Sequence, residues 1–145
     1  MQLTRYSDYS LRVLIYLALD PERLVTIEDI ARSYDISRAH LMKVVHQLGL
    51  RGYVETVRGR GGGLRLARRP DDIRIGEVVR STEENLNLVE CFDPASSRCV
   101  IEPACGLRQV LHEALAAFLA VLDRYTLADL VARRRSPLAR LLEAS

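Results

Sequence analysis

All three cysteines of this 145-residue chain lie in one short polar segment, residues 90–105. Seven residues separate Cys91 from Cys99, five separate Cys99 from Cys105, and two prolines and two serines stand between them. Proline and serine disfavour a continuous helix or strand, so we expect a loop that curls back on itself. A long helical pattern begins directly after Cys105, so the fold must attach this loop to a helix.

The cysteine spacing narrows the chemistry of the loop. Thiolates that lie close together repel one another unless a metal ion or an inorganic cluster takes up their charge. Structural zinc sites usually have closely spaced cysteine pairs and a fourth cysteine or histidine, whereas both gaps here are wider and no histidine lies between Leu86 and Leu111. An iron–sulfur cluster fits better, and it needs a fourth ligand from elsewhere. The alternative is that the cysteines are buried as small apolar side chains.

The length and composition of the chain indicate an ordinary globular protein. The chain is long enough for one domain with a hydrophobic core. It has no secretory signal pattern, and its apolar run from Val13 to Leu19 is too short to cross a membrane. Because three cysteines cannot all pair with one another, we expect a reduced, cytoplasmic protein that does not associate with membranes.

The first 50 residues predict three helices. Ser7 is expected to cap a helix from about residue 8 to 19. Thr26 and Asp29 form a capping-box pattern for a second helix that ends near residue 34. After a short break, Ser37 is expected to cap a third helix over residues 38–48, which Gly49 ends. Two short helices joined by a tight turn are typical of a helix-turn-helix.

The third helix and the segment after it are predicted to bind DNA. One face of the helix is apolar, and the other carries side chains that can read base edges and phosphates. Residues 53–57 and 64–67 alternate as two strands, and an arginine- and glycine-rich turn joins them into a wing. Residues 51–69 contain six arginines and one acidic residue, a patch that attracts polyanions. The predicted DNA contacts are Ser37, Arg38, His40, Lys43, Gln47, Arg58, Arg60 and Arg65.

The second half of the chain predicts a linker and a dimerisation helix. A short helix over about residues 75–83 leads into the cysteine loop, and the longest helix follows to about residue 125. Its broad apolar stripe has little core of its own to cover, so we expect a second subunit to cover it; packing on its own domain is the alternative. The predicted protein is mainly α-helical, with a winged helix-turn-helix domain at 1–75, a linking helix and cluster loop at 76–105, and a dimerisation helix and C-terminal tail at 106–145.

The order of these parts resembles the family of winged-helix bacterial regulators that carry an iron–sulfur cluster. The resemblance covers nearly the whole chain and is carried mainly by residues 3–14 (LTRYSDYSLRVL), 40–45, 57–66 and 89–92 and by the gap from Cys99 to Cys105. It implies a homodimer that binds a palindromic operator on double-stranded DNA and holds a cluster at Cys91, Cys99 and Cys105.

Two positions distinguish types within this family. Arg108 stands where the cluster-assembly type has a histidine ligand to a two-iron cluster, which argues against that type. Asp8 matches the aspartate that, in the nitric-oxide-sensing type, is supplied across the dimer as fourth ligand to a four-iron cluster. Arg12 lies one turn further along the same face and is expected to hold the Asp8 carboxylate. Without the resemblance, Asp8 is simply a first-turn acid that complements the helix dipole.

The resemblance therefore implies a repressor that releases its operator when nitric oxide destroys a 4Fe-4S cluster, with a 2Fe-2S centre as the alternative. Three other functions stay open. One is an iron-responsive repressor with the same cluster, and another is a metal-free thiol redox switch. The third is an enzyme, which fits least, because no histidine or carboxylate constellation surrounds the cysteines and no cofactor-binding loop is present.

Overall fold

The computed structural model describes residues 1–143, which form seven α-helices and one β-hairpin. The remaining two residues of the predicted C-terminal tail lie outside this range. Strands β1 (Val54–Val57) and β2 (Gly63–Leu66) pair antiparallel, with Val54 opposite Leu66. This mainly helical architecture with a hairpin wing is the one predicted. The helices are α1 (Arg5–Ala18), α2 (Ile27–Tyr34), α3 (Arg38–Leu50), α4 (Ile75–Thr82), α5 (Gly106–Asp123), α6 (Leu127–Ala132) and α7 (Arg135–Glu143).

Local capping chemistry sets the helix-turn-helix, as predicted. The Thr26 hydroxyl accepts from the Asp29 backbone N–H (3.1 Å), and the Asp29 carboxylate accepts from the Thr26 backbone N–H (3.0 Å). The Thr26 hydroxyl also donates to the Asp29 carboxylate (2.7 Å), and this hydrogen bond, followed by the one from the Thr26 backbone N–H, lowers the pKa of Asp29. The left-handed backbone of Asp35 (φ 53°) ends α2, and Ser37 caps α3 by accepting from the His40 backbone N–H.

The predicted start of α1 is wrong by three residues. Thr4, not Ser7, is the N-cap, because its hydroxyl accepts from the Ser7 backbone N–H (3.2 Å) and the helix begins at Arg5. Ser7 is instead buried inside the first turn. Both residues have the hydroxyl that an N-cap needs, and a distant contact decides between them, since the Glu83 carboxylate accepts from the Thr4 backbone N–H (2.8 Å). The predicted end of α3 is also early, since the helix continues to Leu50.

Backbone hydrogen bonds attach the wing to the helix-turn-helix. Leu64 in β2 exchanges two of them with Val25, just before α2, at 2.7 and 3.0 Å. The backbones approach so closely that a Cβ on Gly63 would lie 2.8 Å from the Val25 carbonyl oxygen. At the tip, Gly59 has a φ of 99°, which favours glycine. The wing therefore has a defined position beside the helix pair.

The hydrophobic core lies around α1, which contacts α3, α4 and α6. Full burial of one such aliphatic side chain contributes about 1.5–3 kcal/mol. The fully buried side chains include Val13, Leu14, Leu17, Ile30, Leu41, Val44, Leu48, Tyr53, Ile73, Val78, Val79 and Leu127.

Helix α5 contributes no buried residue to this core. The Arg80 guanidinium on α4 binds the Asp123 carboxylate near the end of α5 at 2.5 and 2.8 Å. The apolar stripe of α5 is only partly covered, and Leu107 and Val110 are 62% and 59% exposed. Among residues 1–143, no helix is both long and apolar enough to cross a membrane.

Candidate metal centre and nucleic-acid interface

The cysteine loop is an irregular segment with two short 3-10 turns, Glu90–Phe92 and Glu102–Ala104. Cys91 lies in the first turn and is buried, whereas Cys99 and Cys105 are half-buried. All three are free thiols. Cys105 directly precedes α5, so the loop ends at the N-terminus of a helix of 18 residues.

Helix α5 holds both ends of this loop. The Arg108 Nε donates to the Cys91 carbonyl oxygen (3.2 Å), and its Nη2 lies 3.9 Å from the Glu102 carboxylate. The rings of Phe92 and His112 stack with centroids 3.8 Å apart and planes 5° from parallel. The first turns of α5 thus hold the part of the loop around Cys91 through these contacts. The part around Cys105 is held because Cys105 is joined directly to the start of α5.

The donor set fits an iron–sulfur centre in its chemistry. Three thiols on one loop are the ligands that such clusters take, and the positive end of the α5 dipole is a favourable neighbour for an anionic ligand set. Across residues 1–143, no three histidine, cysteine or acidic side chains converge closely enough to hold a metal ion. Ligation by Cys91, Cys99, Cys105 and Asp8 stays a prediction.

Asp8 is held in a defined orientation on α1. Its carboxylate accepts two hydrogen bonds from the Arg12 guanidinium, at 3.1 and 2.9 Å. Arg12 lies 5.6 Å from the centre of the Tyr9 ring and 5.9 Å from that of Tyr34. The Tyr34 hydroxyl donates to the Arg12 carbonyl oxygen (3.0 Å), and burial raises the pKa of Tyr34 to about 12, so this donor stays protonated. The Asp8 side chain is 45% exposed, and another chain can therefore reach it.

On α3, which we call the recognition helix, most of the predicted DNA contacts already have partners within the chain. The Arg38 guanidinium lies 3.6 Å from Glu28. The half-buried His40 ring lies 4.8 Å from the Tyr9 ring. The amide oxygen of Gln47 accepts from Arg51 (2.8 Å). Among residues 1–143, the exposed Lys43 has no side-chain hydrogen bond or ion pair, which leaves its ammonium group for a phosphate.

On the wing, too, some of the predicted DNA contacts have partners within the described chain and others do not. Arg58 and Arg60 are exposed at the tip, and their guanidinium groups form no hydrogen bond or ion pair within the described chain. Arg65 instead pairs across the two strands with Glu55 (2.5 Å). The side chains best placed to neutralise DNA phosphates are therefore Lys43, Arg58 and Arg60. All eight predicted DNA contacts stay predictions.

The sequence alone does not show the functional contacts of three residues: Arg51, Glu83 and Arg108. Each joins elements far apart in the chain, and for Glu83 the separation from Thr4 is 79 residues. Burial disfavours the Glu83 carboxylate, but hydrogen bonds from Ser7 and Thr4 outweigh it and lower the pKa of Glu83. The resemblance already drew attention to Arg108, three residues after Cys105, but not to its hydrogen bond with the Cys91 carbonyl oxygen.

Comparison with known proteins identifies the family. The model of the Rrf2 family, described as iron-dependent transcriptional regulators, matches residues 3–133. The chain belongs to the Rrf2 family. It is 59% identical over 144 residues to the HTH-type transcriptional regulator NsrR of Bacillus subtilis strain 168, covering 99% of this chain and 98% of that relative. It is 60% identical over 137 residues to the NsrR of Geobacillus kaustophilus, covering 94% and 93%.

Solved Rrf2-like structures have the same architecture. IscR of T. potens superimposes with a TM-score of 0.74 at 26% identity, covering 92% of this chain and 88% of that one. CymR, the global cysteine regulator of B. subtilis, gives 0.73 at 27% identity, covering 92% and 98%. The chain is therefore a helix-turn-helix transcriptional regulator with a winged-helix fold, as predicted. Its relatives are regulators and not enzymes, which confirms the expectation that it has no catalytic role.

Proposed function

We propose that this Rrf2 regulator is a cytoplasmic, DNA-binding repressor that senses nitric oxide through an iron–sulfur cluster and binds a palindromic operator as a homodimer. The observation that carries the proposal is the pair of Asp8 and Arg12. A carboxylate oriented by two hydrogen bonds on an exposed helix face is suited to bind a cluster that is held by a neighbouring subunit. The resemblance described above associates this donor set with the nitric-oxide-sensing type.

In the proposed dimer, Cys91, Cys99 and Cys105 of one chain and Asp8 of the partner subunit hold the cluster. When bound, the cluster would supply iron, and the iron held by the Asp8 carboxylate would be the one open to a small diatomic molecule, because carboxylate is a harder ligand than thiolate and would be displaced more easily. Asp8 then determines whether α1 of one subunit is fastened to the cysteine loop of the other. Arg12 keeps the carboxylate oriented for that contact. Release of Asp8 frees α1 and changes the spacing of the two recognition helices.

Replacing Asp8 by alanine is expected to leave the fold intact and to alter the cluster. The exposed Asp8–Arg12 ion pair contributes only about 0–1 kcal/mol to stability, whereas loss of a ligand changes the visible spectrum and the nitric oxide response. The measurements are iron and acid-labile sulfide per chain, absorption without oxygen, nitric oxide titration and thermal unfolding. Asp20→Ala, which removes an exposed carboxylate just after α1, is the control. Wild-type spectra and nitric oxide response in Asp8→Ala would contradict the assignment of Asp8.

An iron-responsive repressor is the second candidate, because the matching family is described as iron-dependent. Two conditions distinguish the nitric oxide sensor from the iron sensor. In the first, nitric oxide is added with iron in excess, and in the second, iron is chelated without nitric oxide. Operator release in the first condition supports the nitric oxide sensor, and release only in the second supports the iron sensor. A colourless protein that forms a disulfide on oxidation would instead indicate a thiol switch.

Removing both wing-tip arginines, Arg58 and Arg60, is expected to weaken DNA binding without affecting the cluster. Each phosphate contact contributes about 0.9 to the slope of log affinity against log salt. Because the proposed homodimer carries two copies of each arginine, the double alanine variant should lose about 3.6 from this slope and roughly 10²- to 10⁴-fold in affinity at about 0.1 M salt. Fluorescence anisotropy over a salt series measures both quantities. Arg124→Ala, at the exposed end of α5, is the control. An unchanged slope would exclude the wing tip from the DNA interface.

A further inference from the structure

Arg51, the residue that ends the recognition helix, joins three elements of the fold. Its Nε donates to the carbonyl oxygen of Ser81 in the last turn of α4 (2.8 Å). Its Nη1 donates to the Gln47 amide oxygen on α3 (2.8 Å) and to the Tyr6 hydroxyl on α1 (3.4 Å). The guanidinium also lies 6.0 Å from the centre of the Tyr6 ring. One exposed side chain thus connects α1, α3 and α4.

The chemistry of these partners explains why an arginine is present. The Ser81 carbonyl is among the last four of α4, which have no partner within their own helix. A cation between the C-terminal ends of α3 and α4 is favoured by both helix dipoles. The planar guanidinium reaches several acceptors at once, whereas a lysine ammonium on a flexible chain does not hold the same fixed geometry. Arg51 therefore caps the end of α4 with its side chain, while its own backbone N–H closes the end of α3.

The last turn of α4 is also the start of the path to the cysteine loop. Glu83, directly after α4, accepts hydrogen bonds from the Thr4 backbone N–H and hydroxyl at the start of α1 (2.8 and 3.0 Å). Cys91 follows eight residues later. The buried Tyr53 adds a second contact, because its hydroxyl lies 3.3 Å from the Ser81 hydroxyl. The last turn of α4 therefore lies between the segment that leads to Cys91 and the end of α3, which Arg51 contacts.

Arg51 also fixes the orientation of a predicted DNA contact. Because a guanidinium only donates hydrogen bonds, the Gln47 group that faces it is the amide oxygen, and the NH₂ group points elsewhere. Arg51 thus sets both the position of the last turn of the recognition helix and the polarity that Gln47 presents.

We propose that Arg51 is a positioning residue that transmits movement of the cysteine loop through α4 to the recognition helix, so that operator affinity follows the state of the loop. This inference rests on the proposed function, in which the state of the loop is the signal. It adds to that function the residue through which the signal reaches the DNA-binding surface.

The test compares the full-length wild type with Arg51→Lys, Arg51→Ala and the control Arg124→Ala. For each protein, affinity for the operator and for unrelated DNA is measured over a salt series, once with the cluster and once after its removal. Absorption spectra report on the cluster, and thermal unfolding reports on the fold. We expect the ratio of operator affinities with and without cluster to be about 5- to 150-fold in the wild type. In both Arg51 variants this affinity ratio should fall to between about 0.5 and 2. The absorption spectra of the cluster should stay unchanged.

The other outcomes separate the alternatives. If Arg51 contacts a phosphate instead, Arg51→Ala lowers the salt slope by about 1.8, since the dimer loses two arginines, on both DNAs, and Arg51→Lys restores it, which overturns the proposal. If Arg51 has only a structural role, both variants unfold at lower temperature while the affinity ratio stays at the wild-type value, which also overturns it. A wild-type ratio of one overturns the proposed function and the coupling together. If the wild type shows the expected ratio of operator affinities and Arg51→Lys shows the same ratio, the proposed function stands and only the coupling through Arg51 is overturned.

Discussion

Replacing Cys105 by alanine is expected to abolish the visible absorption of the anaerobically purified protein and to lower operator affinity about 5- to 150-fold, the usual range of allosteric coupling. The thiol is one of three predicted ligands and lies at the junction of the loop and α5. Its loss leaves the predicted cluster with only two thiolate ligands from this loop, Cys91 and Cys99. Absorption, iron content and operator affinity are the measurements.

Stability should change little in this variant, because Cys105 is half-buried and lies outside the hydrophobic core. Cys91→Ala is a less specific test, since Cys91 is buried and its replacement also creates a cavity. Val100→Ala is the matched control, because Val100 lies in the same loop and is 92% exposed. If Cys105→Ala retained wild-type iron and absorption, Cys105 would be removed from the ligand set.

Local patterns in the sequence were sufficient to predict most of the fold. The Thr26 and Asp29 capping box, the Ser37 cap and the glycine-rich tip of the wing each involve residues within a few positions of one another. The prediction that α1 begins after Ser7 was wrong because Thr4 and Ser7 have the same capping chemistry. Glu83 decides between them, and its contact with Thr4 spans 79 residues.

The candidate site was less predictable, because a helix face shows which side chains point outward but not which have partners. Arg38, His40, Gln47 and Arg65 all lie on the predicted DNA-binding surface, yet each contacts another side chain of the same chain. The cysteine spacing identified the loop. It gave no information on the contact of Arg108 with the Cys91 carbonyl, which depends on how the loop folds back.

Placing glutamates at both Leu107 and Val110 is expected to convert the proposed dimer into a monomer. These side chains are 62% and 59% exposed in the single chain and lie one turn apart on α5. An apolar stripe on a helix that buries none of its residues in its own core is suited to pack against a second copy. Four added carboxylates per dimer would repel one another and lose hydration in that interface. Sedimentation equilibrium measures the oligomeric state directly.

The same double variant tests whether the dimer completes the cluster site. If Asp8 of the partner subunit is the fourth ligand, a monomer has only the three thiolates of its own loop, and both the cluster and its nitric oxide response should change as they do in Asp8→Ala. Operator affinity should fall more than 100-fold, because two linked recognition helices gain roughly 10²- to 10⁴-fold from effective concentration on a palindrome. Gln109→Glu, an exposed change on the same helix, controls for added charge. A monomer with an unaltered four-iron spectrum would place the fourth ligand within one chain, and the orientation of Asp8 by Arg12 would then serve only α1 itself.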